Sequence, residues 1–420
     1  MDAIPLAPDD RAILDLEGPT IAGHTCKVIV VGKGAPDVAR LRAAVAPRLE
    51  AVPALRRRLG GAPDAPVWVA DEAFDIANHV VDAPVPGAVG AEGLRTAIAR
   101  LFEQRLDRGR PLWRIDRVPL DTGAAALVWR IHHALADGTA AMRFAREVLW
   151  DAQPGAPAPA GAAKAAAHAA HAADDARRRA HLAGFIRREF ARSLRRSPFE
   201  GLIGAQRQVS LAAVPLAPLA AAAKRLDGAT INDAVLAVVA GTLRRWLVLH
   251  HGSLGGVRVR VPVSLHHEGD DAANHDSFFT FALPLNEPDP ATRLRAVHAA
   301  TSARKAGRDA ELFEHLNALA AVSPALRRFT TRMEESPRKF AVSVSNVPGP
   351  RDPVTLLGAP VEGLYTLAEI GEQHGLRVAI VSLAGTLSFG FCADPSIVED
   401  VQALADGVLV EADALVAAAG

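Results

Sequence analysis

Apolar positions along this chain follow two periods, and the switches between them mark out its elements. Short apolar runs read as buried strands at Cys26–Val31 (CKVIVV) and Ala124–Ile131 (AAALVWRI). Val257–Ser264 (VRVRVPVS) alternates with period two, the mark of a half-buried strand, and its Pro262 predicts an edge or a bulge. Phe340–Val344 (FAVSV) reads as a strand, and Arg377–Asp394 as a hairpin turning at Ala384–Gly385. Helical spacing predicts helices over Val38–Leu59, Gly93–Leu106, Thr139–Trp150 and Asn232–Val248. The last carries the stripe Leu236, Val239, Leu243, Trp246 and Leu247. Strands and helices alternate in both halves without a fixed-period repeat. A mixed α/β (α+β) protein with two sheet-containing lobes is the natural expectation.

Between the halves lies Asp151–Ala173 (DAQPGAPAPAGAAKAAAHAAHAA), a low-complexity Pro/Gly/Ala linker. After it, Arg177–Arg196 places eight arginines around Leu182, Phe185, Ile186, Phe190 and Leu194, which recur at helical spacing. The expected organisation is an amino-terminal lobe over 1–150, a linker with a basic amphipathic helix over 151–205, and a carboxy-terminal lobe over 206–420. A length of 420 residues suits two domains of ordinary size.

Composition narrows the class. Half the residues are apolar and 22% are charged, the balance of a soluble globular protein. Lys+Arg equals Asp+Glu at 47 each, so no net field draws the molecule toward nucleic acid. Cys26 and Cys392 provide neither a disulfide framework nor metal-ligand spacing, and a reducing cytosol is the default. The opening MDAIPLAPDD is acidic and broken by proline, which argues against an ordinary signal peptide, and the apolar run Val378–Ala393 is too short to span a bilayer. The basic stretch Arg177–Arg196 fits two descriptions, contact with anionic lipid at the inner membrane face and a solvated helix between lobes.

Candidate chemistry concentrates in WRIHHALADGTAAM, Trp129–Met142. The pattern His-x-x-x-Asp occurs four times, at His133/Asp137, His171/Asp175, His266/Asp270 and His267/Asp271. Only the first combines an apolar strand before it, a paired histidine and a glycine after the aspartate. A histidine at the mouth of a buried strand is held rigidly yet can face a cavity. Its ordinary pKa near ~6.5 suits proton abstraction at neutral pH. Asp137 can fix the loop and Gly138 allows a sharp turn into the helix. Equally, His132 and His133 could be strand-end residues satisfied by backbone, with Asp137 a helix cap. Spacing leaves both readings open.

Two further stretches carry polar groups. In TINDAVLAVVAGTLRRWL, Thr230–Leu247, Thr230 and Asp233 fit a capping box, and Asn232 could present an amide to a developing oxyanion. SNVPGP, Ser345–Pro350, is a constrained loop leaving a strand, suited to lining or bracing a binding channel. Other logics are missing: Pro36 and Asp37 spoil a dinucleotide turn after Gly32 and Gly34, and no Gly-x-Ser-x-Gly, P-loop or His-Glu-x-x-His motif is present. His250/His251 and His266/His267 lack supporting metal ligands, and His168 and His171 belong to the linker.

Together HHALADG (His132–Gly138), LDRGRPLW (Leu106–Trp113), NDAVLAVVAGTLRRWL (Asn232–Leu247), VPVSL (Val261–Leu265) and SNVPGP resemble one family, the bacterial wax ester synthase/diacylglycerol acyltransferases. VWVADEAFDIANHV (Val67–Val80) and GTLSFGFCAD (Gly385–Asp394) look like family segments too, in the same order over nearly the whole chain. The resemblance implies two chloramphenicol-acetyltransferase-like lobes with a substrate tunnel between them. It also implies an O-acyltransferase that takes acyl-CoA as substrate, with no metal or prosthetic group, and esterifies a long-chain alcohol or diacylglycerol. By it, His133 is the general base, His132 its support, Asp137 and Gly138 the shapers of the loop, and Asn232 and Asp233 the family's pair near the site. Ser345, Asn346, Pro348 and Gly349 become candidate substrate-binding residues. The chain departs from the family pattern at Gly23–Val28 (GHTCKV), Ala273–Asn274 and Leu383, which bears on substrate preference. Rival readings are a related transferase or condensation enzyme acylating another alcohol or an amine, a hydrolase, and a non-catalytic lipid-binding homologue.

Overall fold

The computed structural model describes residues 3–151, 196–264, 276–306 and 339–420. The linker and the basic stretch up to Arg195, with His168, His171, His266, His267 and Ala273–Asn274, lie outside the described residues.

In chain order the elements are β1 (Ile4–Pro5), α1 (Pro8–Leu16), β2 (His24–Val31), α2 (Val38–Arg48), β3 (Arg57–Ala62), β4 (Ala65–Ala70), β5 (Val80–Asp82), α3 (Ala91–Phe102), β6 (Trp113–Pro119), β7 (Ala125–His132) and α4 (Gly138–Val148). There follow β8 (Gln208–Pro215), α5 (Leu216–Arg225), α6 (Ile231–His251), β9 (Arg258–Ser264), β10 (Asp276–Ala282), α7 (Pro290–Ala306), β11 (Val342–Val347), β12 (Thr355–Leu356), β13 (Ala359–Ala368), β14 (Leu376–Leu383), β15 (Thr386–Ala393) and α8 (Val401–Ala418).

Among its described residues the chain forms two compact units. The first comprises Met1–Gln153, Ile203–Leu216 and Asn346–Leu409; the second, Pro154–Leu202, Ala217–Ser345 and Val410–Gly420. The units are therefore interleaved in sequence, and no single cut at the linker separates them.

The first unit is built on a six-stranded sheet of order β12-β13-β2-β7-β6-β5. Its central strands β2 and β7 run antiparallel, with Val28 opposite Val128 and His24 opposite His132. Both faces of these strands are covered, which is why they read as mainly apolar runs rather than as alternation. Ile29, Val31, Leu127, Trp129 and Ile131 enter one core, which also holds Phe144 and Val148 of α4. Cys26, Val28, Ala126 and Val128 enter another, with Leu94, Ile98 and Phe102 of α3. On that second face Arg130 is buried against Asp116 at 2.8 Å and donates to the carbonyls of Leu101 and Gln104 at the end of α3. The pairing of β14 with β15 and of β15 with β8 adds a second antiparallel set to this unit.

The hairpin turn is where the pattern placed it: Ala384 and Gly385 both take positive φ, 45° and 83°, the conformation of a two-residue type I′ turn. The helix expected over Val38–Leu59 is a correction. The α-helix ends at Arg48, two 3-10 turns follow, and Arg57–Ala62 pairs instead with Ala65–Ala70 as a hairpin. Pro53 lacks the N–H that would continue the helix, and Gly60–Gly61 lowers helical propensity just beyond it.

In the second unit α6 is buried along most of its length, including Val235, Leu236, Val239, Leu243, Trp246 and Leu247. Strand β9 lies antiparallel to β10, while its parallel pairing with β11 covers only Val259 and Arg260. Pro262 falls beyond that pairing, so its missing N–H breaks no ladder bond there.

Candidate active site

The histidine loop leaves the end of β7 and runs straight into α4. Its amides are held by fixed partners. The His132 amide donates to the Leu112 carbonyl at 2.9 Å, and the His133 amide to the Gly23 carbonyl at 2.9 Å. The Leu135 and Ala136 amides turn back onto the His132 carbonyl at 2.9 and 3.2 Å. Leu112 belongs to the LDRGRPLW stretch, and Trp113 beside it is fixed by its indole N–H on the Leu55 carbonyl and by stacking on His79. These bonds give that stretch, and the VWVADEAFDIANHV segment that ends near His79, a place in the site's support.

Asp137 is the N-cap of α4, accepting the Ala140 amide on Oδ1 at 2.6 Å, and it is buried. The helix-cap reading of Asp137 is therefore correct in its geometry. A buried cation faces it. Lys27, in the middle of β2, is 1% exposed and donates to Thr366 Oγ1 at 2.8 Å. Burial pushes the Lys27 pKa down to about 8, with Cys26 and Asp137 opposing that shift. Lys27 went unnoticed in the sequence because a single polar residue inside CKVIVV looks like an interruption of a strand. Gly138 is needed for close approach: a Cβ there would stand 2.9 Å from Val347 Cγ2. Val347 is the middle of SNVPGP, so this loop braces the start of α4. Farther along it, Gly349 donates its amide to Ser382 Oγ at 3.0 Å, and a Cβ there would meet the Ser382 carbonyl at 2.0 Å. Ser345 and Asn346 end β11 half-buried, and Pro348 is exposed.

His133 is half-buried at the centre of this frame. Burial of its ring and then the Arg377 guanidinium push its pKa down to about 4, against the pull of Asp137. At neutral pH the imidazole is therefore unprotonated, the form that can accept a proton. His132 lies behind it, buried. Its Nδ1 accepts the Ala134 amide at 3.2 Å, and its Nε2 stands 3.4 Å from Glu17 Oε2. Glu17, Arg377 and Lys27 had no signal in the sequence.

In the second unit, Thr230 and Asp233 form the expected capping box of α6. The carboxylate does more than cap. Asp233 Oδ2 accepts from the Thr230 amide and hydroxyl, both at 2.8 Å, and from His298 Nδ1 at 2.9 Å, while Oδ1 accepts the Thr301 hydroxyl at 2.6 Å. Burial raises its pKa, but these bonds outweigh it and hold the carboxyl below its usual range. Asn232 beside it is half-buried in the first turn of α6. Among the described residues, no group of three or more His, Cys, Asp or Glu side chains is placed to hold a metal ion.

The model of the wax ester synthase/diacylglycerol acyltransferase catalytic domain matches residues 6–188, and that of the WS/DGAT C-terminal domain matches residues 272–415. The chain belongs to the WS/DGAT family. A probable diacylglycerol O-acyltransferase of Mycobacterium tuberculosis (strain ATCC 25618 / H37Rv), tgs1, is 31% identical to this WS/DGAT chain over 412 residues, 90% of this chain and 88% of the relative. A putative diacylglycerol O-acyltransferase of Mycobacterium bovis, Mb0919, is 27% identical over 469 residues, 98% and 91% of the two chains. The fold matches the wax ester synthase/diacylglycerol acyltransferase from Marinobacter aquaeolei VT8 with a TM-score of 0.74 at 23% identity, covering 99% of this chain and 100% of that one. It also matches the first condensation domain of the CDA synthetase, at a TM-score of 0.62, 18% identity and coverage of 100% and 97%. The WS/DGAT chain thus has the mixed α/β fold expected of it.

Proposed function

We propose that this chain is an acyl-CoA-dependent O-acyltransferase that esterifies a long-chain alcohol or a diacylglycerol, with His133 as general base. The observation that carries the reading is a histidine at the end of a buried strand, in a loop held by backbone hydrogen bonds on both sides, with burial and Arg377 pushing its imidazole toward the neutral form. In this reading His133 takes the hydroxyl proton as the substrate oxygen attacks the thioester carbonyl. A C–O bond forms, and negative charge collects on the former carbonyl oxygen. The Asn232 amide is our nominee to stabilise it. Collapse breaks the C–S bond, and the CoA thiolate recovers the proton from His133. Acyl-CoA enters as a substrate, and no step calls for a metal or prosthetic group. Ser345, Asn346, Pro348 and Gly349 border the acceptor site in the same reading.

A depressed pKa has two consequences for such a base. The unprotonated form is fully available at pH 7, but its intrinsic basicity is lower, so rigid placement has to supply more of the rate. The test is release of free CoA from acyl-CoA in the presence of a panel of alcohols, diacylglycerols and amines, with products read by mass. Alcohol-dependent CoA release with ester formation is the expected result. Amide product, or free acid formed without an acceptor, defeats the reading.

No helix among the described residues is long and apolar enough to cross a membrane. We infer a peripheral association at the inner membrane face or a lipid-droplet surface through Arg177–Arg196, whose charge and apolar spacing suit anionic lipid. Flotation with anionic vesicles is expected to fall when these arginines are neutralised; unchanged flotation removes the inference.

A further inference from the structure

The carboxylate behind the histidine pair belongs to no motif in the sequence, yet it is among the most constrained groups in the first unit. Glu17 caps the carboxyl end of α1, and its side chain is 4% exposed. Arg108, from LDRGRPLW, donates to Glu17 Oε2 through Nε at 2.9 Å and reaches the same oxygen with Nη2 at 2.7 Å. The same Nη2 also donates to the Leu14 carbonyl at 2.8 Å, so one guanidinium ties both the end of α1 and its terminal carboxylate. Arg105 stands 3.6 Å from Oε1. Burial raises the Glu17 pKa, but hydrogen bonds and charge from His132 and Arg108 prevail and hold it below the usual carboxylate range. An anion is thus kept against His132.

The other side of the His132 ring defines which nitrogen carries its hydrogen. Nδ1 accepts the Ala134 amide at 3.2 Å, so that atom presents a lone pair. The hydrogen then resides on Nε2, and Nε2 faces Glu17 Oε2 at 3.4 Å. A third contact closes the ring in. Gly23 has φ of 73°, and a Cβ there would stand 2.5 Å from His132 Nε2. No side chain other than hydrogen fits between. Gly23 also accepts the His133 amide through its carbonyl.

We propose that Glu17, clamped by Arg108, is a positioning residue: it holds His132 in the Nε2-protonated tautomer and thereby fixes the loop that carries His133. The coupling runs through one backbone bond. If His132 changed tautomer, a hydrogen on Nδ1 would confront the Ala134 N–H, and a buried amide would lose its acceptor. Ala134 follows His133 directly, so the cost falls on the reacting imidazole's own backbone. The proposal rests on the acyl-transfer reading for its catalytic consequence, while the tautomer itself does not depend on it.

The test compares Glu17→Leu, which removes the polar group facing Nε2, with Glu17→Gln, which keeps an oxygen there without the charge. Protein carrying ¹⁵N-labelled histidine reports the His132 tautomer by NMR on the resting enzyme, with the resonance assigned by its loss in His132→Gln. Expected are the Nε2-protonated form in the natural sequence and in Glu17→Gln, and a mixture in Glu17→Leu. With acyl-CoA and alcohol, kcat of Glu17→Leu should fall about tenfold to a hundredfold. KM for acyl-CoA should stay within about twofold, and Glu17→Gln should recover most of kcat. Should Glu17→Leu fail to fold, Arg108→Met, which frees the carboxylate, replaces it with the same expected direction. An unchanged tautomer in the variant, or kcat lost equally in Glu17→Gln, overturns the proposal. Absence of esterification by the natural sequence would instead sink the acyl-transfer reading and leave the tautomer result standing.

Discussion

Two helices in this protein carry, at the cap or in the first turn, an aspartate that the sequence singles out, and the two are used differently. At α4, Asp137 caps through Ala140 and faces the buried ammonium of Lys27. At α6, Asp233 receives donors from Thr230, Thr301 and His298. Both carboxylates are structural in their own contacts. What differs is the chain in front of them. Before Asp137 stands a strand end carrying two histidines, one of them half-buried and unprotonated; before Asp233 stands the turn that supplies its own capping threonine. An aspartate at a helix start therefore says little about chemistry until its upstream neighbours are placed.

The largest expected effect separates the two ends outright. His133→Ala should lower esterification by about a hundredfold to ten-thousandfold, the usual worth of a general base, with the thermal midpoint within a few degrees of the natural sequence. Retained ester yield would reduce the α4 end to the same standing as α6. Next, Asp137→Ala removes a cap and leaves the Lys27 ammonium buried without its counter-charge. It should destabilise by about 3 kcal/mol in urea unfolding. Asp137→Asn keeps a capping oxygen but not the charge, and should lower kcat more than its loss of folded protein explains. Asp233→Asn, in a network whose donors are Thr230, Thr301 and His298, should lower activity only in step with folding. Equal behaviour of the two asparagine variants would break the contrast.

The pH profile sharpens it further. With the His133 pKa at about 4, kcat/KM should rise with pH through about 4 and stay level through neutrality. Arg377→Met removes one cause of the depression and should move that acid limb upward. The linkage has a definite sign. A folded-state pKa below the ordinary ~6.5 means that the folded state binds this proton less readily than the unfolded chain. The stability associated with neutral His133 is present above that value and is lost as pH falls toward about 4. The smallest effect expected is that of Thr301→Val, about 1 kcal/mol for one buried hydrogen bond to Asp233.

Elements whose contacts are local or whose faces are uniform were readable in the sequence. The β14–β15 hairpin, β7, α4 and α6 fall where periodicity and turn residues put them. So does the capping box of α6, because Thr230 and Asp233 are three residues apart. The misjudged end of α2 shows the limit of period alone, since Leu55 and Leu59 keep helical spacing beyond an α-helix that has already ended at Arg48. β13 was also missed, because Pro360, Glu362 and Gly363 dilute its apolar pattern although it pairs with β2. In the site, His133, Asp137 and Gly138 were legible as a motif. Their supports were not, for a physical reason: Glu17 and Lys27 act on residues more than 100 positions away in the chain, and a lone charge in a helix end or a strand announces no partner.

The pairing of β2 with β13 has a consequence for synthesis of the chain. β2 leaves the ribosome early, but the strand that completes its outer side comes from Ala359–Ala368, after more than three hundred further residues. Throughout that interval one flank of the nascent sheet offers unmated amide and carbonyl groups on an apolar strand, a template for association with other chains. Translation halted after Asp151 would yield a fragment carrying the complete histidine motif, yet prone to aggregate and dependent on chaperones. The reactive loop is written in the first third of the message, but its platform is closed only near the end.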